Sequence, residues 1–409
     1  MAPQQARGAA RERPLRVLFV SEWALGHKTF MLNLQAHLRA YADLQVRWLY
    51  VDYDEFQRAA TRRPWLRHRW SLWGSLQAVR KVLHAIPSGG ADVLVFHTQT
   101  IAQLAWPLMC LVPTVVSLDA TQIGLHSLAA AYDYTPPGDS PYDRTVRWMN
   151  RRVYHAASAM LPWSTWAADS LVADYGVDPA AIVVNPPGVD LSYWRPRAER
   201  QVDGPVKVLF VGGDFERKGG PLLLDVLQTI DALWELHLVT GAAVPSSERV
   251  WVHRGLTSNS PELAALYATC DVFALPTFGD CSPIATIEAA ASGLPVLCTC
   301  IGGTADLVAD GETGYLIPVG DAAALRDRLT TLLADSALRR RMGAAGRARA
   351  EAYFDARARA ATVHRLIRAV HERRPGFAGE SLGEALGARS ARDSNVPMSV
   401  AMNTSAVGR

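Results

Sequence analysis

The chain has 409 residues, too many for one ordinary core, and its 49% hydrophobic and 20% charged content is that of a globular protein of two domains. A formal net charge of +3 with no basic tail argues against a nucleic-acid partner. Five cysteines form neither a paired framework nor a zinc spacing: Cys110, Cys270, Cys298 and Cys300 sit in apolar runs and read as core thiols, and Cys281 sits in a loop without a nucleophile's partners.

Residues 1–14 are polar, lack an apolar signal region and read as a disordered leader. No stretch approaches the ~18 apolar residues of a spanning helix, so a cytoplasmic location is expected. Leu15 to Val20 is a strand, and Ser21 to Thr29 is a loop carrying Gly26 and His27 before an amphipathic run from Phe30 to Leu38. Such a loop lies at the carboxyl end of a sheet, where open α/β sheets bind ligands. Gly26 permits close backbone approach there. His27 has two readings, a bond to a substrate oxygen or a helix-capping histidine.

Strands follow at Leu44 to Val51, Asp92 to His97, Thr114 to Leu118 and Ala159 to Pro162, with helical patterns between, which predicts a parallel sheet covered on both faces. His97 and Asp119 end their strands and are expected to point into the same crevice, or else, as is commoner for a lone polar residue at a strand end, only to bond a neighbouring loop. Between them, residues 58–85 carry Arg58, Arg62, Arg63, Arg67, Arg69, Arg80 and Lys81 with Trp65, Trp70 and Trp73. That mixture can mark a peripheral surface for anionic lipid headgroups or an anionic acceptor, the plainer reading being a solvated helix with packing tryptophans.

From Asn185 to Pro196 the chain is rich in proline, and periodicity is lost until Gly204, which places a domain boundary there. Val206 begins a new strand that runs into Gly212-Gly213 and the loop Asp214 to Gly220, where Arg217 can grip phosphate oxygens in a fork and Lys218 adds a point charge. Strands Leu236 to Thr240 and Val250 to Arg254, a loop at Gly255 and a helix Glu262 to Ala268 lead to the apolar strand Asp271 to Pro276. After it, Thr277 to Glu288 reads as a loop and a helix start, with Ser282 as N-cap, Pro283 at the first helical position and Gly293 as the stop. A helix start offers free N–H groups to a phosphate. Asp280 lies just before it and Glu288 about a turn and a half inside, so two carboxylates flank an anion site and suit sugar hydroxyls. Helical patterns fill Ala322 to Leu333, Ser336 to Ala348 and Ala356 to Arg373, the last (355–373) expected to pack back on the first domain, and residues 375–409 read as a disordered tail.

Over about 170 residues from Asn185 to Phe354 the sequence resembles the retaining glycosyltransferases of family 4. It does so through Pro187-Gly188-Val189-Asp190, the Gly212 to Gly219 loop, an acid pair with seven residues between Asp280 and Glu288, Gly302-Gly303, and Asp310 to Gly314. The resemblance implies the GT-B architecture: two Rossmann-like parallel-sheet domains facing a central cleft, an acceptor-side domain at 15–195 and a nucleotide-sugar domain at 200–354. It implies that Arg217 and Lys218 neutralise the donor diphosphate and that Ser282, Pro283 and Ile284 form the helix start beneath it. Glu288 then holds the ribose, Asp280 touches the donor sugar, Gly26 and Gly213 approach the phosphates, and Gly255 lies near the base.

Two departures stand out. The first acid is Asp280 rather than glutamate, and the strand-end position often held by histidine is Asp119, which puts a histidine-assisted mechanism in question. The implied activity is retaining transfer of a hexosyl group from a nucleotide diphosphate sugar, UDP- or GDP-linked, to a hydroxyl of a glycan, a lipid-linked glycan or a secondary metabolite. No cofactor and no obligatory metal are expected. A sugar-nucleotide epimerase or hydrolase of the same fold, and an inactive nucleotide-sugar-binding subunit, stay open as alternatives.

Overall fold

The computed structural model describes residues 13–372, apart from 68, 87–89, 134–135, 137 and 198–203. The expected tail, and all of the expected leader but Arg13 and Pro14, lie outside the described residues, as does the last residue of the expected final helix.

The first sheet is β1 (Leu15–Trp23), β2 (Leu44–Asp52), β3 (Val93–His97), β4 (Thr114–Leu118) and β5 (Ala159–Pro162), all parallel in the order β2-β1-β3-β4-β5. Both faces are covered, and β1 shows why: Val17 and Phe19 pack toward one helical layer, Leu18 and Val20 toward the other, and all four are buried. The second sheet is β6 (Val206–Val211), β7 (Trp234–Val239), β8 (Val250–His253), β9 (Val272–Leu275), β10 (Val296–Thr299) and β11 (Gly314–Ile317), again parallel, in the order β11-β10-β9-β6-β7-β8.

Each order contains one place where the winding reverses: between β1 and β3 in the first sheet, and between β6 and β9 in the second. The connections leave that place in opposite directions, so a crevice opens at the strands' carboxyl ends.

Two ties hold the halves together away from that crevice. The helix Ala356–Glu372 returns to the first half, where the His364 ring stacks on Tyr41 at 4.0 Å and Asp43 accepts from His364 at 2.9 Å and from Arg368 at 3.0 Å. The linker is held by Arg347 of the helix Ser336–Tyr353, whose guanidinium donates to the linker carbonyls of Trp194 at 2.6 Å and Leu191 at 3.2 Å and to that of Ala291 in the second half at 2.7 Å. Trp194 is itself buried, edge-on to Tyr267 at 5.1 Å.

Several expected boundaries shift. β1 continues to Trp23 because Ser21, Glu22 and Trp23 stay in register with Tyr50, Val51 and Asp52 of β2. The following helix spans Leu25–Leu38, so Gly26 and His27 lie in its first turn and not in a loop before it. A glycine costs a helix only about 1 kcal/mol relative to alanine, which the packed remainder of this helix outweighs. The cysteines also differ from expectation. Cys110 and Cys300 are exposed, each just past the end of an element, while Cys281 is buried beneath Ala120 and Leu128.

Candidate active site

In the second half, the loops after β6 and β9 meet at the reversal point. Gly219 makes this possible: its φ is +78°, and a Cβ there would lie 2.0 Å from the Pro276 carbonyl oxygen. Only glycine fits so close an approach. Hydrogen bonds then lock the loops together, Phe278 N to Arg217 O at 2.8 Å and Thr277 Oγ1 to the same carbonyl at 3.2 Å. The loop after β10 is pressed on equally tightly, since a Cβ on Gly302, at φ +56°, would stand 2.2 Å from the Asp280 carbonyl oxygen.

This packing gathers the charged residues expected from the sequence. Arg217 donates from Nε to Asp214 at 3.0 Å and from Nη1 to the Gly279 carbonyl at 2.5 Å. Lys218 Nζ is paired with Asp280 Oδ2, and Asp280 is buried. Gly213 is exposed, with open space where a Cβ would stand. Gly255 lies at the end of β8 with φ +74° and open space beside it. The loop that follows reaches the first half, where Ser258 Oγ bonds Thr29 Oγ1 at 2.7 Å and Asn259 Nδ2 donates to Asn33 Oδ1 at 3.0 Å.

The helix start differs from expectation. The helix spans Ile284–Ala291 with Pro283, not Ser282, at its N-cap and no side-chain cap. Ser282 lies one position too early to reach the first-turn N–H groups, and its hydroxyl is buried without a hydrogen-bond partner. Both the uncapped helix start and this hydroxyl are therefore uncommitted. Glu288 faces inward, 5% exposed, and accepts from the Tyr267 hydroxyl at 3.1 Å. Burial pushes its carboxyl up to about 7, against the opposing pull of the Tyr267 hydroxyl.

The first half brings a different set to its own reversal point. His27 Nε2 and Asp119 Oδ2 are 3.3 Å apart, and Glu22, at the end of β1, accepts from Thr98 Oγ1 at 3.1 Å. Burial alone would push the His27 imidazole down, but the Asp119 carboxylate, by charge and hydrogen bond, and then the Glu22 charge raise it to about 9. Against burial, which would raise it, the His27 charge and hydrogen bond hold Asp119 below the usual carboxylate range. His97 does not reach the crevice. It is fully buried, stacked on Trp163 at 5.1 Å, with Nδ1 3.2 Å from Ser117 Oγ, and burial and then the His27 charge keep it neutral.

The two halves touch across the cleft through a segment that the sequence did not single out. The Tyr132 ring covers the Arg217 guanidinium, 4.4 Å from ring centroid to carbon, and a Cβ on Gly279 would lie 2.5 Å from the Ala131 Cβ. Deeper in the cleft wall, Thr165 donates through its hydroxyl to Asp306 at 2.7 Å. Neither Tyr132 nor Glu22 carries a local motif. Among the described residues, no group of three or more His, Cys, Asp or Glu side chains is placed to hold a metal ion.

Comparison with known proteins agrees with this layout. Residues 23–188 match the glycosyl transferase 4-like domain, and residues 205–335 match the glycosyl transferases group 1. These matches flank the linker and together take in most of the chain. Among curated relatives, a D-inositol 3-phosphate glycosyltransferase from Arthrobacter is 28% identical over 259 residues, covering 58% of this chain and 61% of the relative. One from Nocardia farcinica is 32% identical over 252 residues, covering 53% and 54%. The chain thus spans about three fifths of the Arthrobacter relative's length, or less for the Nocardia one. Two solved structures share the fold. A sucrose-phosphate synthase from Thermosynechococcus elongatus has a TM-score of 0.70 at 21% identity, covering 88% of this chain and 99% of that one. Anabaena HepE in complex with UDP-glucose has a TM-score of 0.64 at 17% identity, covering 87% and 100%.

Two parallel sheets whose reversal points face each other define the GT-B class. The chain belongs to the group 1, family 4 glycosyltransferases.

Proposed function

We propose that the protein transfers a hexosyl group from a nucleotide diphosphate sugar to an acceptor hydroxyl, with retention at the anomeric carbon. The observation that carries this reading is the meeting of the Arg217-Lys218 loop with Asp280 above the uncapped start of the helix Ile284–Ala291. Two cations and free N–H groups converge on one spot from segments about sixty residues apart in sequence, with a carboxylate beside them.

In this reading the diphosphate displaces Asp280 from Lys218 and takes the Arg217 fork, so charge developing on the leaving group is met by preorganised donors. Asp280, released, accepts from a hydroxyl of the donor sugar, and Glu288 accepts from the ribose. Asp119 lies on the facing side, where a carboxylate eases positive charge on the oxocarbenium-like sugar. The acceptor hydroxyl adds from the leaving-group face and gives its proton to the departing phosphate oxygen. The chemistry then asks for no metal. The UDP-glucose bound by HepE supports a UDP-hexose as first choice, with GDP-hexose next, and the acceptor class is a glycan, a lipid-linked glycan or a secondary metabolite.

The residue 58–85 surface offers peripheral contact with anionic lipid. Arg58, Arg62, Arg63, Arg67, Arg69 and Arg80 are exposed, and Trp65 is 63% exposed. Trp70 and Trp73 instead stack on each other at 5.8 Å over Phe56, so Trp65 is the tryptophan of the three left to insert. Among the described residues, no helix is long and apolar enough to cross a membrane.

Thermal-shift measurement against UDP-, GDP-, ADP- and TDP-hexoses tests the donor reading. One nucleotide class should raise Tm with the logarithm of its concentration, and no shift with any of them refutes it. Anomeric NMR of the product then reads retention or inversion.

A further inference from the structure

The polar cluster at the first sheet's reversal point contains one acid that the donor site does not use, Glu22. Its place is set by the fold: β1 ends beside β3, and Thr98, just past β3, donates to Glu22 Oε2 at 3.1 Å. His27 sits in the first turn of the next helix, among His97, 4.7 Å away between ring centroids, Trp163 at 5.7 Å and Asp119 at 3.3 Å.

Among the described residues, three strands bring ionisable groups to this ring. β1 supplies Glu22, β3 supplies His97, held neutral by burial and then by the His27 charge, and the end of β4 supplies Asp119. The residue after β5, Trp163, carries no charge. On the helix itself, Lys28 turns away, with its ammonium 6.0 Å from the Trp23 ring and 3.9 Å from Asp54. Among the described residues, two carboxylates therefore act on His27 with no competing cation at the ring; burial raises the Glu22 carboxyl itself, and the His27 charge lowers it.

The imidazole's own geometry is the second observation. Nε2 is taken by Asp119, whereas Nδ1 is buried and has no hydrogen-bond partner. A buried ring nitrogen left unpaired costs about 1–3 kcal/mol, so it is normally satisfied in the working state. When both ring nitrogens face anionic oxygens, both must donate, and only the doubly protonated ring can do so.

We propose that Glu22 is a positioning residue of the transfer reaction: with Asp119 it brackets His27, so that the ring meets the donor diphosphate as an imidazolium, Nε2–H on Asp119 and Nδ1–H free for a phosphate oxygen. This rests on the donor site proposed above. It adds a third cation to Arg217 and Lys218, delivered from the opposite domain, so the full set forms only when the two halves face each other. Asp119, where the family often has histidine, then does not remove histidine from the site but recruits one from the neighbouring helix.

The test combines a titration with a rate profile. In the ligand-free wild type, NMR of 13C-labelled histidine should show one ring, assigned by its loss in H27N, that stays protonated to about pH 9. A His27 ring that titrates below pH 7 overturns the proposal. In E22Q the titration should move to lower pH, and kcat/KM for the donor at pH 8.5, relative to pH 7, should fall by about threefold or more against wild type. E22D, which keeps the charge, should recover much of the loss. A folded E22Q with an unchanged profile overturns the proposal, as does an E22D no better than E22Q. Should E22Q fail to fold, T98V, which removes the hydroxyl holding Glu22, takes its place with the same expectation in smaller measure. If no nucleotide sugar shifts the wild-type melting curve, the donor reading fails, while the histidine titration still reports on the charge of His27 by itself.

Discussion

The two sheets place their polar residues at the same topological position by different means. In the second half, the site is built from backbone: glycines at Gly219 and Gly302 let three loops touch, and Arg217 and Lys218 are held by partners on those loops. In the first half, the site is built from titratable side chains: His97 is buried, Glu22, His27 and Asp119 are part-buried, and the two histidine rings pack against Trp163, with Phe30 against His97. The first kind of site is rigid and fails through geometry, whereas the second fails through charge state and so through pH.

Substitutions that separate these two modes follow, the largest effect first. Lys218→Ala removes a diphosphate cation and leaves Asp280 buried without its partner, so turnover should drop by about 10²–10³-fold at every pH, as steady-state kinetics will show. A drop confined to one side of the pH range would make this half behave like the other.

Gly302→Ala forces a Cβ against the Asp280 carbonyl at an unfavourable φ and should cost about 3 kcal/mol or more in urea unfolding. Gly26→Ala, with open space around the new methyl and a helical backbone, should instead be neutral or stabilising by up to about 1 kcal/mol. Equal costs at the two glycines would erase the contrast between the halves.

Glu288→Gln probes the member of the rigid site whose carboxyl burial raises to about 7. Burial raises the folded carboxyl from 4.5 to about 7, so between these values the folded state binds more protons than the unfolded one. Stability therefore declines as pH rises through that window and then levels off. The glutamine variant should match wild type near pH 4 and exceed it by roughly 2–3 kcal/mol at pH 8, measured by urea unfolding at both values.

In the first half the sign is the same, but the window lies at higher pH. His27, raised to about 9, contributes stability that is full below its unfolded value of 6.5 and lost as pH climbs through 9. Asp119→Asn should remove most of that dependence, by about 2 kcal/mol at pH 7, and flatten the melting temperature between pH 7 and 9.

The smallest effect belongs to the surface. Trp65→Ala should change stability by less than about 0.5 kcal/mol, yet lower flotation with anionic liposomes; flotation unchanged by the substitution or by neutral lipid would remove the lipid contact.

By itself, the sequence determined the local grammar. Apolar runs spaced by helical patterns specified two parallel sheets, and glycines beside charged residues marked the loops of the second half, because turn chemistry and a helix start act over a few neighbouring residues. It misplaced the starts of the helices at Leu25 and Ile284, where capping signals are weak and packing sets the boundary. Only the tertiary structure decided which strand ends share a crevice. It sent His97 into the core and brought His27 to Asp119 from 92 positions away, with Glu22 beside the pair. It also laid Tyr132 on Arg217. The reason is physical: strand order sets which chain ends are neighbours, and burial sets which neighbour keeps its charge, and neither is written in any one stretch of the chain.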